Sequence, residues 1–352
     1  ALSAAARYPV TPLFFEILPA IRASQRGAEA SDLETNVTRN DVALEVVELY
    51  LRHARARGAA AVAEQAVREA ERNLADAKAR LESGTGNRPD VLRFEARLAE
   101  AAGERAERGA DVVATAQALR TLLDLPGSGP LAFSEQITSA PSDPFAGATA
   151  TSLTDRAESE RDALAAVELL VESGEHVARA QRGGVLPRLL IDGRIDYASP
   201  NPLFVPPNED FRATWAVGAR LEWSPDDAWA SSRRARRADA DVAATRARLE
   251  RIRDAVRIEV TTAEARYRAS KLSFEAAHRG VGAAEEALRA RRRGYELGVF
   301  DATALIDAEL AASRARLAVV DAGVELRIRR ARLRRAVGEH LWEASASKGE
   351  NS

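Results

Sequence analysis

The residues able to carry chemistry are few and poorly grouped. The four histidines, His53, His176, His278 and His340, are scattered, most of them within charged helical stretches, and none has a second histidine four residues on. A zinc-hydrolase motif needs that pair on one helix face with a glutamate between. The chain has no cysteine, which removes thiolate metal sites, a cysteine nucleophile and a disulfide framework together. Gly127-Ser128-Gly129 places a serine between glycines, but without the strand–turn–helix setting of a nucleophile elbow or phosphate loop. Four arginines crowd into Arg233 to Arg237, yet they open a long helix amid Asp and Glu, and the net charge is -2, so nucleic acid is not an expected partner. One carboxylate stands apart: Asp307 has Thr303 and Ala311 four residues to either side, so no basic residue answers it along its own helix. These residues predict neither an enzyme nor a bound cofactor or metal.

The elements that would position them are mostly helices. The 352 residues are 30% charged and 46% hydrophobic but only 5% aromatic, the Ala/Glu/Leu/Arg balance of long helices and coiled coils. No apolar run reaches the length of a membrane-spanning helix, which excludes a helical membrane protein but not a membrane β-barrel. Four stretches keep a helical period. The first runs from Pro19 to Ser83, its stripe marked by Leu33, Val37, Leu44, Val47 and Leu51, with Gly84 and Gly86 at its end. At about 1.5 Å per residue it would reach roughly 100 Å, too long to stand without other helices against it. A second helix returns from Pro89-Asp90 to Leu123. A linker with Pro126, Pro130, Pro141 and Pro144 follows, and a shorter helix spans Asp155 to Arg182. The third long stretch, Asp227 to Leu297, carries the stripe Leu249, Ile252, Val256 and Val260; Gly298 breaks it, and a fourth runs from Ala302 to Leu341.

Between the helical blocks two runs alternate with period two. Leu189, Ile191, Ile195 and Tyr197 share one face, and Arg188, Asp192, Arg194 and Asp196 the other, with Leu190 the exception. Beyond a Pro-rich loop, Trp215, Val217, Ala219, Leu221 and Trp223 again oppose Thr214, Gly218, Arg220 and Glu222. Each run is about ten residues, the length of a tilted strand across a bilayer, with aromatics at strand ends. An amphipathic hairpin lying on a soluble core has the same pattern.

The two halves align without gaps at an offset of 214 residues, the separation of Gly84 from Gly298. Asp41 to Val46 faces Ala255 to Val260, Val91-Leu92 faces Leu305-Ile306, Glu95 faces Glu309, and Leu119 faces Leu333. Each half is therefore one helix–turn–helix hairpin. The second hairpin is preceded by a helix and two strands, the first only by Ala1 to Val10, the end of one strand. The repeat thus leads one to expect a further strand and helix upstream of Ala1.

A duplicated unit of helix, strand pair, very long helix, glycine turn and returning helix resembles the TolC-like outer-membrane channel family. Arg293-Gly294-Tyr295-Glu296-Leu297-Gly298 is similar to the family's R-Y-x-x-G turn, and Leu305-Ile306-Asp307-Ala308 to its V-L-D-A segment. Val185-Leu186-Pro187 resembles the L-L-P entry to the strand pair, and Leu122 to Pro126 the L-L-G-x-P exit of the first hairpin. Ser224 to Trp229 departs from the glycine-rich turn of the family, and no N-terminal cysteine offers a lipid anchor.

The resemblance implies a mainly α chain with a membrane β-barrel portion: duplicated long α-hairpins forming an α-barrel tunnel, plus strands given to a twelve-stranded barrel shared by a homotrimer. The implied divisions are 1–16, the end of a first-repeat strand region; 17–124, a hairpin with its tip near 84–88; 125–184, a linker and equatorial helix; 185–225, the strand pair with an external loop at 199–210; 226–342, a hairpin with its tip near 298–301; and 343–352, a disordered tail. Leu189, Ile191, Ile195, Tyr197, Trp215, Val217, Leu221 and Trp223 would face lipid. Ser83, Gly84, Thr85, Leu297, Gly298 and Val299 would form the tips that dock a periplasmic adaptor. Asp307, with Glu309, would belong to an acidic constriction, where carboxylates around an axis repel one another and attract cations; the family's partner aspartate is Ala304 here. The expected function is a passive outer-membrane conduit, with a long periplasmic extension, for efflux or type I secretion, fed by an adaptor and an inner-membrane transporter. The alternative is a non-conducting coiled-coil scaffold of the cell envelope.

Overall fold

The structure is a computed structural model, and it describes residues 1–127, 129, 131, 137–201, 203–204 and 209–343. Its elements are β1 (Leu2–Pro9), a short α1 (Val10–Pro12), a π turn at Leu13–Ile17, α2 (Leu18–Glu82), α3 (Arg88–Leu123), α4 (Ala150–Glu160), α5 (Asp162–Gly183), β2 (Arg188–Ala198), β3 (Arg212–Glu222), α6 (Pro225–Glu296) and α7 (Ala302–Ala336). No described helix is long and apolar enough to cross a membrane.

Two compact units result. The first joins Ala1–Val37 to Arg161–Ala255, the second Thr38–Glu160 to Val256–Ser352. In the first lies an antiparallel sheet of order β1-β2-β3. β1 pairs with β2 along all eight of its residues, Leu2 opposite Tyr197 and Pro9 opposite Leu190. Helix α5 packs on the starts of α2 and α6: Ser173 donates to the Ala23 carbonyl at 2.8 Å, and Arg182 binds Asp239 at 2.5 Å.

The second unit holds α3 and α7 with the remainder of α2 from Thr38 and of α6 from Val256, which close the two hairpins. The buried positions of α6 include Leu249, Val256, Val260, Tyr267 and Phe274, spaced by four or seven residues, the seam of helices packed at shallow angles. Along α2 the buried side chains are mostly alanines, among them Ala54, Ala63, Ala66, Ala70 and Ala77, with Val67 and Leu51. Of the stripe expected there, Leu51 is fully buried while Leu33, Val37, Leu44 and Val47 are half-buried. His53 is buried as well, its Nδ1 2.8 Å from the Thr115 hydroxyl on α3.

Three element boundaries correct the sequence reading. The helix expected over 155–182 is two helices, meeting at Arg161, which is extended (φ -83, ψ 113). The first of them starts earlier, at Ala150, inside the stretch read as linker, because the Thr149 hydroxyl accepts the Ser152 N–H. The last helix stops at Ala336 rather than Leu341, since Gly338 takes a left-handed conformation (φ 94) that ends it. The tail beyond 343, and residues 202 and 205–208 of the expected external loop, lie outside the described residues.

Candidate functional site

The two hairpin turns are copies of each other down to their hydrogen bonds. At the first, Gly84 has φ 76, the Gly84 N–H donates to the Leu81 carbonyl and the Thr85 N–H to that of Arg80. At the second, Gly298 has φ 73, its N–H donates to the Tyr295 carbonyl and the Val299 N–H to that of Gly294. Every residue stands 214 positions from its counterpart, and a side chain at either glycine would strain the left-handed backbone. The returning helices are capped alike: Asn87 Oδ1 accepts from Asp90 N and Asp301 Oδ1 from Ala304 N, each at 2.9 Å. Chemically the tips differ. Ser83 and Thr85 bond to one another at 2.9 Å, whereas Leu297 and Val299 stand 79% and 69% exposed.

Beneath the tips the hairpins are clamped by Phe94 and Arg80, which the sequence pattern does not single out, together with Tyr295, Val91 and Leu305 of its turn and repeat motifs. Phe94 of α3 is fully buried and meets the ring of Tyr295 edge-on, 5.7 Å between centroids. Val91, Ala77, Leu288, Ala302, Leu305 and Ala312 complete the cluster. Arg80 of α2 donates to the carbonyls of Tyr295 at 3.1 Å and Glu296 at 3.0 Å, a second donor for the first, which also accepts from Gly298, and a partner for the second at the open end of α6. Its guanidinium also lies 4.9 Å from the centre of the Tyr295 ring.

The two carboxylates expected at the constriction are not brought together. They are two positions apart on α7, so they point to nearly opposite sides of the helix. Asp307 is exposed and holds no hydrogen bond or ion pair among the described residues. Glu309 is buried, accepts the Asn73 amide of α2, and lies 3.5 Å from Arg292. It joins α7 to α2 and α6. Its repeat counterpart Glu95 is exposed and paired with Lys78 at 3.2 Å.

Burial raises the Glu309 carboxyl above its ordinary pKa; the Asn73 amide opposes that rise, Glu69 adds to it, and Arg292 and Arg97 counter it. A carboxyl whose pKa rises on folding stabilises the fold fully below the unfolded value and loses that contribution as pH climbs through the folded value. Glu309→Gln, which keeps an acceptor for Asn73 and removes the charge, is therefore expected to flatten the fall of stability from acid to neutral pH. Thermal midpoints measured across that range would test this; an unchanged slope would reject it.

The sheet has one apolar face and one charged face. In register across it lie Ala4, Ile195 and Trp215, then Tyr8, Ile191 and Ala219, with Leu189 beside Leu221. Trp215 is 78% exposed, Val217, Leu221, Ile195, Trp223, Tyr197 and Ile191 are also exposed, and Leu189 is half-buried. On the other face Arg7 binds Asp192 at 2.6 Å, with Arg220 3.9 Å from the same carboxylate, and Arg194 binds Asp196 at 2.6 Å. Aromatic groups mark both ends: Tyr197 stacks on Phe211 at 5.2 Å, and Trp223 donates to the Val185 carbonyl at 3.3 Å.

An apolar sheet face beside charged helical hairpins has a match among known families. The model of the family described as outer membrane efflux protein matches residues 153–339. The chain belongs to that family. Solved structures share the fold: the outer-membrane channel OprN at 20% identity and a TM-score of 0.75, covering 97% of this chain and 75% of that one. The open MtrE outer membrane channel of Neisseria gonorrhoeae follows at 19% and 0.75, over 97% and 80%. The outer membrane protein VceC of Vibrio cholerae aligns at 14% and 0.72, over 96% and 79%. No curated protein sequence matches. This member of the outer membrane efflux protein family is thus an outer-membrane protein, with the TolC-like architecture that its motifs resemble.

Proposed function

We propose that three copies of this chain assemble into one channel, sharing a β-barrel in the outer membrane and an α-helical tunnel in the periplasm. One observation carries the reading: a three-stranded sheet with an exposed, wholly apolar face and a charged opposite face. Lipid admits strands only in a closed barrel, and the smallest such barrels have about eight strands, so one chain cannot close its own. The structure describes three of the four strands that a twelve-stranded barrel would need from each of three copies. The charged face then lines the water-filled lumen.

The tips carry the partner contacts in this reading. Leu297, Gly298 and Val299, with Ser83, Gly84 and Thr85, receive a periplasmic adaptor, and an inner-membrane transporter behind it supplies the cargo. The exposed apolar pair at the second tip supports this, because such side chains at a turn favour contact with a partner. Asp307, exposed and unanswered, stands at the constriction as the single carboxylate of each copy.

Planar-bilayer recording of the purified protein tests both levels. The wild type is expected to form channels with a block by divalent cations, and Asp307→Ala to raise conductance or relieve the block. Absence of any channel would overturn the conduit; channels indifferent to Asp307→Ala would overturn only the gate.

A further inference from the structure

Some arginines of α6 hold a carboxylate of a neighbouring helix. Arg246 binds Glu175, Arg253 binds Glu168 and Arg257 binds Glu158, each within 2.7 Å. In its third and fourth turns four arginines stand together without one. Arg234, Arg236 and Arg237 are exposed and have no hydrogen bond or ion pair among the described residues, and Arg233 has only the Trp229 ring, 4.8 Å from its guanidinium. From Trp229 to Ala238 there is no acidic residue. Asp226 and Asp227 precede that stretch, in the first turn, where the helix dipole favours them.

The placement is one-sided. Ser231, Ala235, Ala238 and Val242 are the buried positions here. Arg233, Arg236 and Arg237 follow Trp229 by four, seven and eight residues, on the opposite face. Trp229 is 62% exposed, and Trp223 six residues earlier is exposed too.

The first repeat keeps one ring and one arginine of this arrangement at its own junction, with Pro19, Ala20 and Ala23 in place of Arg233, Arg234 and Arg237. Phe15 and Arg22 are the counterparts of Trp229 and Arg236, both are exposed, and Arg22 also has no partner among the described residues. In both halves the aromatic ring precedes the arginine by seven residues, two helical turns or about 10 Å. A bilayer's headgroup layer is about 5–8 Å thick on each side. An aromatic ring at the boundary, with an arginine reaching back from two turns below, spans that layer.

We propose that these junctions bind anionic phospholipid headgroups of the periplasm-facing leaflet, the rings at the interface and Arg22, Arg233, Arg234, Arg236 and Arg237 on the phosphates. The inference rests on the membrane orientation proposed above. Unpaired guanidiniums match phosphate in charge and geometry. Each arginine near an anionic surface strengthens binding roughly fivefold.

The test uses the full-length protein in detergent, mixed with equal amounts of phosphatidylglycerol and phosphatidylcholine, with the retained lipids counted by native mass spectrometry. The wild type is expected to retain phosphatidylglycerol at least tenfold over phosphatidylcholine. A variant with all five arginines changed to glutamine should retain the two equally at unchanged oligomeric mass, and the five-lysine variant should recover part of the preference. Equal retention by the wild type, or a preference that survives in the glutamine variant, overturns the proposal. So does dissociation of the glutamine variant into monomers, which would make this face a contact between copies. If the fivefold variant does not fold, Arg22→Gln with Arg236→Gln is read in its place, and it must lower the ratio. A protein that needs no detergent and binds neither lipid fails the channel reading instead.

Discussion

Phe94→Ala is expected to destabilise the protein by about 3–5 kcal/mol, the usual cost of emptying a fully buried aromatic site. The side chain has no exposed surface, and its ring holds Tyr295 edge-on beneath the second turn. Neither neighbour can fill the space: Ala77 and Ala302 are small, and Leu305 is itself fully packed. Beyond stability, the loss frees the end of α6 at the residues that present Leu297 and Val299. Denaturant unfolding followed by helical circular dichroism would measure the cost. A loss below about 1 kcal/mol would mean that the cluster collapses around the gap, and that the tips are not held by it. Phe94→Leu, which keeps most of the volume, should cost a fraction of the alanine change.

Val217→Arg acts on the sheet. Val217 is the middle residue of β3, opposite Gly193, on the face shared with Ile195, Trp215 and Leu221. An arginine at the middle of a lipid-facing strand costs about 2–4 kcal/mol per chain, and in a closed ring every copy pays it. The expected result is loss of the membrane-inserted oligomer with the helical signal retained, read by extraction from the outer-membrane fraction and by circular dichroism. Ala216→Arg, one residue away on the charged face, should leave assembly intact. Equal tolerance of both changes would remove the basis for calling one face lipid and the other lumen.

Much of the fold could be read where the chain carries punctuation. Pro19 and Gly84 bracket α2, Pro89 opens α3, and Gly298 ends α6 within two residues of the observed bounds. The strands were legible from strict alternation, and Leu190, which breaks it, is the residue that the structure buries at 9% exposure. Two weaker signals also stand in the chain: Thr149 before Ser152 marks a helix start, and Gly338 a helix end. The break at Arg161 carries neither glycine nor proline, and no side chain caps it, so nothing local announces it.

The sites were less legible for a related reason. Periodicity and repeat fix positions within one hairpin, not the register between two. Glu95 and Glu309 are equivalent by sequence, yet one pairs with Lys78 on the surface and the other is sealed against Asn73. Arg80 and Phe94 likewise acquire their roles only from the opposite hairpin. The tip residues, by contrast, are set by the turn itself, where glycine writes the geometry into the chain.

Arg80 also decides how many parts can move. Its two bonds tie the first hairpin to the last carbonyls of α6, and its charge rests against the Tyr295 ring. Neither turn can swing away without breaking all three contacts at once, so the pair behaves as one lever. A trimer built from such chains would have six turns but three independently moving parts.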